Sequence, residues 1–222
     1  YHQWGFEKKM DPVNLLIEDS ADTFYQKRSQ LFSQNGQYEI WSLPKIIGSN
    51  IGGVLWCKNK TDYDSILKLR NNFKKSTINT ILKITSIKYK YLKNYFEPSE
   101  YKYGIISSFS SGEIYNKIKE WDNIFNERQK RIKLINKYIP KWAIFKNRLP
   151  SNIPFLANNK YLDKTYLSNI GIIQGVRMFD KNLVSLKRNF IPVVPLPVHH
   201  DVDIDWLKNL KQSNLLVNSE NA

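Results

Sequence analysis

Hydrophobic positions form short runs in the first quarter of the chain and helical stripes after it. Leu15, Leu16 and Ile17 make an unbroken apolar run that stops at Glu18-Asp19. Such a run predicts a short strand buried on both faces, with a carboxylate at its C-terminal end. Tyr38, Ile40 and Trp41 make a second β-prone run, closed by Ser42-Leu43-Pro44-Lys45, where Pro44 forbids regular strand continuation. Asn35-Gly36 marks the turn before it. A third run, Val54 to Cys57, follows Gly48, Gly52 and Gly53, which let a loop pass close to a ligand. Asp19 and Lys45 lie 26 positions apart, enough for a crossover between parallel strands. Open α/β sheets bind ligands at the carboxyl ends of their strands, so one pocket can hold both residues.

Beyond Cys57 the period changes. Thr61-Asp62-Tyr63-Asp64 supplies an N-cap and first-turn acid for a helix carrying Ile66, Leu67, Leu69 and Phe73. Ile81, Leu82, Ile84, Ile87, Tyr91 and Tyr95 stripe a further helix over 78–96, a pattern of core-facing residues. Glu97-Pro98 and the run Ser107 to Gly112 then interrupt the chain. Ser110 and Glu113 have capping-box spacing, which starts a long helix near Ser111. That helix turns Ile114, Ile118, Trp121, Phe125, Ile132 and Ile135 inward until Pro140, while Arg128 and Arg131 project from it. Short β-prone runs follow at 142–145, 170–178 and 191–198, and Asp203 caps a last helix through Leu210.

Composition narrows the function classes. At 222 residues, 41% hydrophobic and 14% aromatic, the chain has ample material for a core, and disorder is excluded. A net charge of +14 raises nucleic acid or an anionic membrane as a partner. The lysines, however, are spread from Lys8 to Lys211, and aromatic residues do not interleave with them on one face as a nucleic-acid module requires. Neither nucleic acid nor membrane is an expected partner. One cysteine, Cys57, excludes an intrachain disulfide framework and a Cys-cluster zinc site, and suits a reducing compartment. No apolar run approaches the roughly 20 residues of a membrane span and no signal peptide opens the chain, so the cytoplasm is the expected location. His199-His200-Asp201 offers two imidazoles and a carboxylate, but the remaining histidine is His2 and no further ligand cluster exists. A metal site is not expected.

A lysine and a carboxylate at neighbouring strand ends suit pyridoxal phosphate chemistry. The amine forms a Schiff base with the cofactor aldehyde, and a carboxylate against the pyridine nitrogen keeps the ring an electron acceptor. Lys45 and Asp19 fit these roles. Ile17-Glu18-Asp19-Ser20-Ala21 resembles the IED-(A/C/S)-A segment of the DegT/DnrJ/EryC1/StrS sugar aminotransferases, and Ser42-Leu43-Pro44-Lys45 with Gly52-Gly53 resembles their S-x-x-K…GG segment. His2-Gln3-Trp4-Gly5-Phe6 resembles the H-x-(F/Y)-G turn before the helix that Met10-Asp11 would open. Val193 to His199 resembles the late LPxH strand. The resemblance is close over 1–60 and loose over 100–215. Asp22 stands where that family usually has glutamine or histidine, and residues 25–37 lack its glycine-rich spacing.

The resemblance implies a function and a site. Lys45 would carry pyridoxal 5'-phosphate, Asp19 would face its ring nitrogen, Ala21 and Asp22 would lie beside the ring, and Ser42 would meet the phosphate. The implied fold is α/β: the C-terminal part of an aspartate aminotransferase-like large domain over 1–110, with parallel strands to about residue 97, then a linking helix and small α+β domain over 111–222. On that basis the chain is an N-terminally truncated aminotransferase, a homodimer in its full form, moving an amino group from an amino acid to a keto sugar in polysaccharide biosynthesis. Arg177, after Gly175, could fork onto a substrate carboxylate, though an exposed or interface salt bridge is the more ordinary role for an arginine. The competing class is a degenerate relative that binds without turnover. Retention of Lys45 and Asp19 together argues against it, since a buried lysine and carboxylate are costly.

Overall fold

Three short strands build the sheet that carries Asp19 and Lys45. In the computed structural model, β1 (Ile17–Asp19) lies parallel to β3 (Tyr38–Ser42), with Ile17 opposite Tyr38 and Asp19 opposite Ile40. The structure describes residues 3–6, 8–9, 15–26, 29–72, 106, 108–143, 145, 148–156, 164–169, 171–172, 175–183 and 187–212. The predicted helix over 78–96, the Met10-Asp11 helix start and His2 lie outside these residues. On the other side of β3 runs β4 (Gly53–Cys57), and it is antiparallel, not parallel as the sequence suggested. Its connection from β3 holds only a five-residue helix, α1 (Leu43–Ile47), and a glycine-bearing loop, too short for a crossover.

The first strand is not buried on both faces. Leu15 and Ile17 are 63% and 48% exposed, while Glu18 is buried. Strand alternation places Ile17, Asp19, Ile40 and Leu55 on one face and Glu18 with Glu39 on the other, and only the second face is covered. Two buried carboxylates are tolerated there because backbone N–H groups and one indole N–H donate to them. Glu18 accepts from Gln34 N at 3.1 Å and Gly36 N at 2.8 Å, and Glu39 accepts from Phe32 N at 2.7 Å and Trp41 Nε1 at 3.1 Å. The segment joining β1 to β3 is therefore wound around these acids, with Asn35 at φ 65° making the turn.

The remaining strands form two further sheets. β2 (Thr23–Tyr25) pairs antiparallel with β5 (Arg148–Pro150), and β6 (Asn152–Phe155), β8 (Phe190–Pro197) and β7 (Arg177–Asp180) form an antiparallel sheet in that order. The strands at 148–155 were not foreseen, their two prolines and polar residues hiding the period. No described residue of the predicted run at 142–145 is in a strand, Trp142 lying in a turn, and among the described residues of 170–178 only Arg177 and Met178 are in one. The buried core is continuous across the chain, including Phe6, Phe24, Ile46, Ile47, Ile135, Phe179 and Leu207, with Trp4, Phe6 and Trp142 packed around Phe179.

The helices depart from expectation in instructive ways. α2 (Lys60–Asn71) has Asn59, not Thr61, at its N-cap and buries none of its residues, so its apolar positions do not serve the core. The predicted long helix is two, α3 (Ser108–Lys119) and α4 (Trp121–Leu134), broken at Glu120. No capping box forms: Ser110 lies inside α3, and Glu113 accepts from Asn50 N and Nδ2 at 2.9 and 3.0 Å. Ile114, Ile132 and Ile135 are buried as expected, but Ile118 is 47% exposed. Arg128 and Arg131 are buried too, the reverse of the projection expected for them. After the short α5 (Lys164–Asn169), α6 (Ile204–Gln212) begins as predicted, with Asp205 N donating to Asp203 Oδ1 at 2.9 Å.

Candidate functional site

The site begins with the local chemistry of α1. Pro44 occupies the first turn, where no backbone donor is needed, and Gly48 ends the helix in the left-handed conformation at φ 67°. Leu43, Ile46 and Ile47 share the buried face at helical spacing, which turns Lys45 outward with its side chain 54% exposed. The expectation of a buried lysine therefore does not hold. Ser42 is the last residue of β3 and the N-cap of α1, and its hydroxyl makes no cap hydrogen bond.

Facing α1 is the turn that leaves β1. Ser20 N donates to Ile40 O at 2.9 Å, extending the parallel ladder one residue past Asp19, and Thr23 N closes the turn onto Ser20 O at 3.0 Å. Asp19 Oδ1 accepts from Ala21 N at 3.1 Å, a side-chain turn typical of aspartate. This turn delivers Asp22, buried, to Lys45: Oδ1 and Nζ are 3.0 Å apart.

The structure thus joins Lys45 directly to Asp22, with Asp19, Ala21 and Ser42 at the adjoining strand ends. Among the described residues no ion pair joins Asp19 to Lys45. Arg177 lies exposed on β7. His199, His200 and Asp201 follow β8, and His200 packs against the end of α1, where a Cβ on Gly48 would stand 2.9 Å from Nε2. Burial, chiefly, holds both imidazoles below their ordinary pKa, and the Arg128 charge adds to this.

Arg128 escaped the sequence reading. Its guanidinium is buried behind α1, with Nη2 donating to Lys45 O and Ile46 O. Burial lowers its pKa to about 10, with the Asp201 and Asp22 charges acting in the opposite direction. A signal existed: Arg128 is four residues from both Ile124 and Ile132, on the inward stripe itself.

These residues fit a cofactor with an aldehyde, a basic ring nitrogen and a phosphate. An outward amine, a half-buried carboxylate and a hydroxyl free of capping duty stand at the carboxyl ends of adjacent parallel strands. The class so defined is the pyridoxal phosphate enzymes. The chain belongs to the family described as "Putative PLP-dependent aminotransferase", whose model matches residues 1–219. No curated protein and no solved structure matches it. The cofactor of the family is pyridoxal 5'-phosphate, and the mixed α/β architecture agrees with it. Among the described residues no helix is long and apolar enough to cross a membrane.

Proposed function

We propose that Lys45 is the cofactor-binding lysine of an aminotransferase of the DegT/DnrJ/EryC1/StrS kind, which moves an amino group from an amino acid to a keto sugar in the cytoplasm. The observation that carries this reading is the 3.0 Å approach of Lys45 Nζ to Asp22 beside the end of the Asp19 strand. When bound, the cofactor supplies an aldehyde for amine capture and a ring that takes up electrons. The chain supplies the rest. Lys45 Nζ must shed a proton before it acts as a nucleophile, and its half-exposed side chain lets water receive it. Asp22, 3.0 Å from Nζ, keeps the amine aimed, and it stands where the resembling family has a glutamine or histidine beside the ring. Asp19, anchored by Ala21 N, offers a carboxylate to the ring nitrogen, and the Ser42 hydroxyl offers a donor to the phosphate.

In this reading residues 1–110 belong to the cofactor-binding domain and 111–222 to the linking helices and small domain. A homodimer is the proposed assembly, supported by the exposed apolar face of Ile17, Ile40 and Leu55 on the site-bearing sheet. The test is chemical. Adding pyridoxal 5'-phosphate, reducing with borohydride and mapping the peptides should place a pyridoxyl group on Lys45, and Lys45→Ala should abolish it. A label on another lysine, or no label at all, overturns the reading. Amination of a nucleotide-linked keto sugar in preference to simple 2-keto acids tests the acceptor.

A further inference from the structure

The helix presenting Lys45 is gripped from behind. Arg128 of α4 is completely buried, and its Nη2 donates to Lys45 O at 3.2 Å and Ile46 O at 3.3 Å. A helix of five residues leaves most of its carbonyls without intrahelical partners, so an outside donor at its last turn fixes where it sits. The same guanidinium lies over the Phe24 ring, 5.0 Å from the centroid, and Phe24 is in β2, which begins one residue after Asp22. One planar group therefore touches both the helix carrying the amine and the strand that follows the carboxylate. His200 also packs against this end of α1, where a Cβ on Gly48 would stand 2.9 Å from its Nε2.

The bonding of Arg128 is also unusual. Nε and Nη1 are buried without a hydrogen-bond partner, although the charges of Asp22 and Asp201 are close enough to act on the guanidinium. A buried arginine retained for an ion pair would use its fork. Here the bonds made are to the α1 carbonyls.

We propose that Arg128 is the positioning residue of the site: through the Lys45 and Ile46 carbonyls and the Phe24 ring it sets the separation of the Lys45 amine and the Asp22 carboxylate. This rests on the reading of Lys45 as the cofactor-binding lysine. Arg128 acts on the chemistry only through Lys45, whose amine must be aimed before it can be captured.

Zero-length carbodiimide coupling, carried out without cofactor, reads the pair directly. In the unsubstituted protein, 3.0 Å between carboxylate and amine should yield an Asp22–Lys45 amide identified by peptide mapping. Arg128→Met should lower that yield about tenfold, and Arg128→Lys, a point charge without the fork, about threefold. Arg131→Met, on the same helix but bonded to Val202 O, should leave it unchanged. If Arg128→Met does not melt cooperatively, Arg128→Lys decides. An unchanged yield in the Arg128 variants, an equal loss in Arg131→Met, or no Asp22–Lys45 amide in the unsubstituted protein overturns the proposal. None of these results touches the borohydride label on Lys45, so the two readings fail separately.

Discussion

Arg128 and Arg148 are both sealed from solvent, yet their surroundings differ. Arg148 on β5 is a hub: Nη2 donates to Gln30 O at 2.7 Å, Nη1 approaches Ser20 Oγ at 3.5 Å and Glu39 Oε1 at 3.9 Å, and the group lies 4.3 Å over the Tyr25 ring. It neutralises a buried acid and ties β5 to the acid-wound segment before β3. Arg128 neutralises no hydrogen-bonded partner and keeps two donors unfilled while holding the Lys45 helix. A buried charge whose bonds are used up serves the fold. A buried charge left short of partners marks a place where geometry at a neighbouring group matters more than local stability.

The sharpest way to break this comparison is by paired substitution. Arg148→Met strands Glu39 in the interior and frees Gln30 O, so it should cost about 3–5 kcal/mol in denaturant unfolding, the usual penalty for removing one partner of a buried ion pair. Arg128→Met removes a desolvated charge and two long carbonyl bonds, and should cost only about 1 kcal/mol. Equal losses would show that the two arginines do the same work.

A smaller effect separates the regions by pH. His199 and His200 stand beside Arg128, and burial first, then its charge, lowers their pKa from the ordinary 6.5. The unfolded chain therefore binds protons that the folded chain resists. Stability should be fully present above pH 6.5 and decline as the pH falls through that value toward the depressed folded pKa. Melting temperatures at pH 7.5 and 5.0 should show this loss, and Arg128→Met should flatten it while His200→Gln removes part of it. A loss of the same size in both variants and the unsubstituted protein would detach the histidines from it.

The part of the site that was legible in sequence is local. Ser42, Pro44, Lys45 and Gly48 determine their own turn, because a proline start and a left-handed glycine end need no distant partner. The carboxylate at the end of β1 and the Asp203 cap are local in the same sense. Tertiary structure alone decided the rest. Alternation shows that Ile17 and Glu18 point oppositely, but only the covering segment decided that the acid, with backbone donors to fill it, went inside. Asp22 meets Lys45 across a sheet, and Arg128 reaches the Lys45 carbonyl from 83 positions away. A sequence window assigns such an arginine to solvent because it sees the cost of burial and not the distant partners that offset it.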